Sequence, residues 1–380
     1  MINYYTKYLK YKKKYLSLIN QKGGTYTCIE TRDEHLKSKQ YFSRAHDSEI
    51  KAIAFNTTGT ILATNCSYRS TILWKISPDG MVTNFTTLVK PEDSRGTPVV
   101  SVAFYTLPGE SEYLLVIGFI NCVSFWLVSD KTGVIINTPI TISTPITNSP
   151  HISENFFTSV AVHPTKRIIA ISNEDKTVKI WKFSSINSNN MMTDLILTLP
   201  QSIRISSVAF HPKLPLLAMC GDGNSGGAGI AKFLQFTYES ETFEISNEVI
   251  VNNNSIFNKV IFHPIEPYLV ISDGTSNLKM LRFNPESPNY EVYWQEQYLN
   301  MPLQYSSVAV HPTEAILAIG RFDIKSQSNN VELWKYPNIH IETLKIKKDH
   351  EITYLNFHPT LPIIVSGSSD GIISFYRKSI

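Results

Sequence analysis

Apolar and polar residues alternate in a short phrase that recurs seven times along the 380-residue chain. The fullest copies are SVAVHP (159–164), SVAFHP (207–212), KVIFHP (259–264), SVAVHP (307–312) and YLNFHP (354–359). Weaker copies are KAIAFN (51–56) and VSVAFY (100–105). The last apolar residue of each falls at Phe55, Phe104, Val162, Phe210, Phe262, Val310 and Phe357, so successive copies lie 49, 58, 48, 52, 48 and 47 residues apart. A period of that size means stacked or radially arranged units.

The alternation within each phrase predicts a strand. His-Pro then breaks it, because proline has no N–H for a ladder and favours a tight turn. A second apolar run follows, for example IIAIS (168–172), LLAMC (216–220) and ILAIG (316–320). A third closes the unit, among them ILWKI (72–76), KIWKF (179–183), ELWKY (332–336) and SFYRK (374–378). With room for a fourth strand, each unit of about 45 residues has the content of a β-propeller blade. The expected fold is all-β: a seven-bladed propeller of four-stranded antiparallel blades over residues 36–380. The chain ends after the third strand of blade 7. Residues 36–43 are expected to supply the missing outer strand and close the ring, since closure removes exposed sheet edges.

The repeats resemble the WD-repeat family. The large residue of the third strand matches that family's tryptophan position at Trp74, Trp126, Trp181, Leu234, Leu281, Trp334 and Tyr376. Blade 7 carries the fullest motif, with His350, SGSSDG (366–371) and Tyr376; blade 3 keeps NEDKTVKIW (173–181). The resemblance implies a structural blade network of His350, Asp370 and Tyr376, with Asp175 and Trp181 in blade 3. The other five blades lack an acid at this spacing, so most of the network is expected to be absent and apolar packing between blades to replace it. The resemblance also implies a non-enzymatic scaffold that holds protein partners.

Candidate chemistry adds little to that picture. Five histidines (163, 211, 263, 311 and 358) precede a proline at the same point of a repeat. Each falls on a different blade, so they are expected to cap turns and not to share a metal. No HExxH, CxxC pair or GxSxG occurs, and neither catalysis nor a cofactor is expected. The four cysteines (28, 66, 122 and 220) are widely spaced, which suits a reducing compartment. In an up-and-down blade the turns after strands 1 and 3 share one face. The insertions at 89–98, 143–155, 221–229 and 321–330 fall on the other. Variable loops on a rigid scaffold carry binding function, so Arg95, His151, Asp222, Arg321 and Asp323 are the candidate partner-binding residues.

The first 24 residues do not repeat. They hold six lysines and no acid, whereas the whole chain has 35 basic and 32 acidic residues. Without this arm the body is mildly acidic, at 29 against 32. Tyr4, Tyr8, Tyr11, Tyr15 and Leu18 recur at helical spacing with lysines largely opposite, predicting an amphipathic helix that Gly23-Gly24 would end. Residues 25–35 then read as a linker. Three roles fit the arm: docking on the propeller or on another subunit, binding an anionic membrane or nucleic acid, or a processing segment. The stretch YLKYKKKYLSL before Gly-Gly resembles leaders on proteins of giant amoeba-infecting DNA viruses. That resemblance implies cleavage after Gly23-Gly24 and a place in the host cytoplasm, viral factory or virion. The propeller itself is expected to be monomeric.

Overall fold

The computed structural model describes residues 26–28, 45–67, 70–89, 98–106, 112–129, 140–143, 156–183, 193–222, 229–239, 242–253, 256–272, 278–283, 292–298, 304–323, 328–335, 339–345 and 351–378. They form seven four-stranded antiparallel sheets. In six of them the strands are consecutive and follow chain order from the channel to the rim. The inner strands are Ile50–Phe55, Val99–Thr106, Phe157–Val162, Arg204–Phe210, Lys259–Phe262, Gln304–Val310 and Ile352–Phe357. Neighbouring inner strands lie side by side, and that of blade 7 lies against that of blade 1, so the ring closes.

The second strand of each blade reads as an unbroken apolar run because both of its faces are buried. In blade 3, Ile169 and Ile171 point into the core shared with blade 2, while Ile168 and Ala170 point into the core shared with blade 4. The same division holds round the ring. The buried side chains form seven apolar clusters, one at each junction between neighbouring blades. Burial of apolar area contributes roughly 25 cal/mol per Å², and here nearly all of it depends on a neighbour being in place.

Blade 7 is completed by Tyr26–Cys28, which pairs antiparallel with Ile373–Lys378 and sets Tyr26 opposite Lys378 and Cys28 opposite Tyr376. This corrects the position expected for the closing strand, since Tyr26–Cys28 falls within the stretch read as a linker. Alternation in so short a strand gives little signal, which is why the linker reading passed over it. Residues 36–43 and the amphipathic stretch 1–24 lie outside the described residues.

The junction between the first and last blades is sealed by backbone contacts. Gly371 takes a positive φ of 85° and accepts a hydrogen bond from His46 N at 3.2 Å. A Cβ at this position would stand 2.1 Å from the His46 carbonyl oxygen, so only glycine fits. Thr353 Oγ1 donates to Ile50 O at 2.6 Å, and Asn356 Nδ2 to Ile53 O at 3.1 Å.

Removing the closing strand leaves a raw edge on blade 7. A chain starting at residue 29 should melt at least about 5 °C lower and over a broader range than one starting at Thr25. Coincident melting curves in differential scanning calorimetry would show that Tyr26–Cys28 does not fasten the ring.

Candidate functional site

The repeated phrase is first of all a junction device. In each of the five His-Pro turns the histidine Nδ1 accepts two backbone N–H groups of its own turn. For His211 these are Lys213 N at 3.0 Å and Leu214 N at 2.9 Å; for His358 they are Thr360 N at 3.1 Å and Leu361 N at 2.9 Å. His163, His263 and His311 repeat the arrangement. An Nδ1 that accepts must carry no proton, so each ring is the neutral Nε2–H tautomer. The outer edge of the ring then serves the next blade. His263 Nε2 donates to Glu314 O at 3.0 Å, and His358 Nε2 to Gly59 O at 2.9 Å. His163, His211, His311 and His358 meet Phe210, Phe262, Phe357 and Phe55 of the following blade edge-on, with centroids about 5 Å apart.

The serine of the phrase works toward the same end. The Oγ of Ser159, Ser207 and Ser307 accepts the backbone N–H of Val208, Val260 and Leu355 in the next blade, while Ser101 Oγ donates to Val160 O. The histidines therefore do turn-capping work, as their spacing suggests. Among the described residues no group of three or more His, Cys, Asp or Glu side chains is placed to hold a metal ion.

The blade network is more widely kept than aspartate spacing indicates. In blade 1, Trp74 Nε1 donates to Thr64 Oγ1 at 2.8 Å, and His46 Nε2 lies 2.9 Å from the same hydroxyl. The sequence signal for this blade was the His46–Thr64–Trp74 set itself, with no aspartate needed. In blade 2, Trp126 Nε1 donates to Ser124 Oγ at 3.1 Å. Asp175 and Asp370 both sit in the turn before the third strand. Asp175 accepts Thr177 N at 2.9 Å and lies 3.5 Å from Lys179 Nζ; Asp370 accepts Ile372 N and the Ser368 hydroxyl. Trp181 is half-buried against the core of blades 2 and 3, and Tyr376 is buried between blades 6 and 7. His350 lies outside the described residues.

The expected partner-binding residues divide. Arg95 and His151 lie outside the described residues, as do Gly23 and Gly24. Asp222, Arg321 and Asp323 stand on strands and not in loops. The second strands of blades 4 and 6 run on to Asp222 and Asp323, leaving 223–228 and 324–327 as the connections. Asp222 is paired with Arg204, and Asp323 with Ser328. The Arg321 guanidinium is tied to Glu332, whose other oxygen accepts Trp334 Nε1 at 3.0 Å. Both charged side chains are largely buried, at 17% and 8% exposure. Arg321 is thus part of the framework of blade 6. The segments 130–139, 184–192 and 284–291 that follow third strands are at least as long as the connections 223–228 and 324–327, so length alone does not mark a binding face.

Exposed charges occur on both faces, Lys166 and Lys213 standing in solvent at the His-Pro turns. On the His-Pro face the repeated histidines are spent inside the junctions. On the other face charged groups stand in solvent around the channel mouth: Arg204 at 50% exposure beside Glu174, 2.8 Å apart, and Lys51 at 40% beside Glu49. Lys259 Nζ lies 4.0 Å from the centre of the Tyr354 ring, joining the inner strands of blades 5 and 7 by a cation–π contact.

With this geometry in view, the likenesses to known proteins are specific. The WD domain, G-beta repeat model matches residues 144–182 and 341–377. These spans cover the first three strands of blades 3 and 7, the two blades whose turns keep Asp175 and Asp370. The chain is 27% identical over 210 residues to the ribosome biogenesis protein ERB1 of Coprinopsis cinerea, covering 53% of this chain and 24% of that protein. It is 32% identical over 126 residues to the ribosome biogenesis protein BOP1 homolog of Anopheles gambiae, covering 32% and 14%. The chain thus spans a quarter or less of either relative.

Among solved structures, the Cps50 (Swd1) β-propeller domain of Myceliophteria thermophila superposes with a TM-score of 0.63 at 11% identity, covering 89% of this chain and 98% of that one. Raptor of Chaetomium thermophilum gives the same TM-score and identity over 88% of this chain and 28% of that one. The fold is a seven-bladed β-propeller, and two of its blades match the WD-repeat model. Neither of the two sequence relatives is viral; the expectation of a viral origin rests on the leader sequence alone.

The buried and exposed ion pairs should respond differently to truncation. Arg321→Ala, which strands Glu332, should cost about 3 kcal/mol, whereas Arg204→Ala should cost less than about 1 kcal/mol. Urea unfolding measures both; equal effects would contradict the division into framework and surface.

Proposed function

We propose that the propeller is a non-enzymatic docking platform, with protein partners held at the channel mouth on the face opposite the His-Pro turns. The observation that carries this reading is the set of exposed charges on a rigid rim, at Lys51, Glu49, Glu174 and Arg204. Lys51 and Arg204 stand on inner strands, and Glu174 on the turn between the second and third strands of blade 3. Asp222 and Asp323 stand at strand ends of the same face, and Arg95 and His151 are proposed from the sequence to widen the surface a partner would cover. A partner is held there by complementary charge and by the shape of the mouth, which suits an extended segment or a loop entering the channel.

The two relatives are named as ribosome biogenesis proteins, and a docking role fits such a setting. The arm has a separate role in this reading. Six lysines without an acid favour an anionic surface, a membrane or a nucleic acid, as its binding partner.

The double variant Lys51→Glu/Arg204→Glu should keep its melting temperature and lose partners captured from the native source, read by quantitative mass spectrometry. Capture undiminished in this variant would remove the channel mouth as the docking face. Deleting residues 1–24 should leave that capture intact while abolishing salt-sensitive retention on anionic liposomes or DNA.

A further inference from the structure

Five of the seven blade junctions are fastened by a histidine, and two are not. His163, His211, His263, His311 and His358 serve the junctions from blade 3 round to blade 1. In blade 1 the equivalent position is Asn56, whose Oδ1 accepts Ile61 N at 3.0 Å and whose Nδ2 donates to Thr58 and Thr60. In blade 2 it is Tyr105, buried edge-on against Phe183 of blade 3 with centroids 5.2 Å apart.

We propose that the ring is an acid-sensitive device, in which protonation of the junction histidines unfastens blades 4 to 7 while blades 1 to 3 remain packed as a unit. The reason lies in the geometry of the turn. A proton added to the imidazole goes to Nδ1, the atom that already accepts two backbone N–H groups. Acceptor becomes donor, both turn bonds are lost, and a charge is left against the apolar edge of the next blade. Asn56 has no proton to gain, and burial raises the Tyr105 hydroxyl above its ordinary range, so neither fastening changes on acidification.

The surroundings of each imidazole set the order of events. Burial holds His163, His211 and His358 down to about 4, with Lys166 facing the first and Lys213 and His263 the second. His263 and His311 are also lowered by burial, but carboxylates face them. Glu266 stands near His263 and Glu314 near His311, where His263 and Lys378 oppose it. Unfolded histidine takes up its proton near pH 6.5. These side chains therefore give their full stabilisation above that value and lose it progressively as pH falls toward 4, because the unfolded chain binds protons that the closed ring refuses. Glu266 and Glu314 ease protonation of His263 and His311 within the closed ring, so the junctions held by His163, His211 and His358 lose the most as pH falls.

Hydrogen exchange of the full chain, followed by mass spectrometry at about pH 7 and about pH 5 and corrected for intrinsic rates, tests this while most carboxylates stay ionised. Protection is expected to fall at least about tenfold in the first and second strands of blades 4 to 7. It should be retained in those of blades 1 to 3. His211→Asn and His358→Asn, which copy the Asn56 turn, should each shift the loss to lower pH; His163→Asn is the alternative if either fails to fold. Unchanged protection at about pH 5, uniform loss across all seven blades, or asparagine variants that open at the same pH as the parent would each overturn the proposal.

Discussion

Every apolar core in this protein belongs to two blades at once. The second strand of a blade sends alternate side chains left and right, and each set is buried only when a neighbour is present. A single blade is a four-stranded sheet with both faces wet, and such a sheet cannot offset the conformational entropy of ordering it. No blade is therefore stable without a neighbour, and closure of the ring gives each blade two. The other devices follow from that need: the bridging serines, the outward-facing histidine edges and the strand Tyr26–Cys28 that completes blade 7. Even glycine is placed for it. Gly59 takes a φ of 79°, and a Cβ there would overlap the ring of His358.

Much of this was legible in the sequence because the junction imposes a repeat. A serine, an alternating apolar triplet and His-Pro recur at one spacing since each must meet the same partner in the next blade. Positions that depart from the phrase could be located but not interpreted. Asn56 and Tyr105 stand where histidine is expected, and only the structure shows that one caps its turn while the other fills an aromatic contact. The closing strand escaped for the opposite reason. Three residues paired with a distant segment carry no periodicity, so proximity in sequence to blade 1 pointed to the wrong segment.

The candidate site was less legible than the fold, and the cause is physical. A charged residue near a predicted turn reads the same whether it faces solvent or the neighbouring strand. Arg321 and Arg204 both lie at strand ends, yet one is buried against Glu332 beneath Trp334 and the other stands half in water beside Glu174. Lengthening a hairpin by two residues turns a loop position into a ladder position, and local composition does not reveal it. The surface left for a partner is the remainder once the framework charges are taken away, a rim of exposed charges round the channel mouth.

The ring-closing function of the repeated histidine is open to direct observation. Nitrogen chemical shifts in protein labelled with 15N-histidine report tautomer and charge at each ring near neutral pH. Neutral imidazoles protonated on Nε2 are expected at positions 163, 211, 263, 311 and 358, with Nδ1 as the hydrogen-bonded acceptor. Imidazolium, or protons on Nδ1, at most of these positions would show that the turns and junctions are not held in this way.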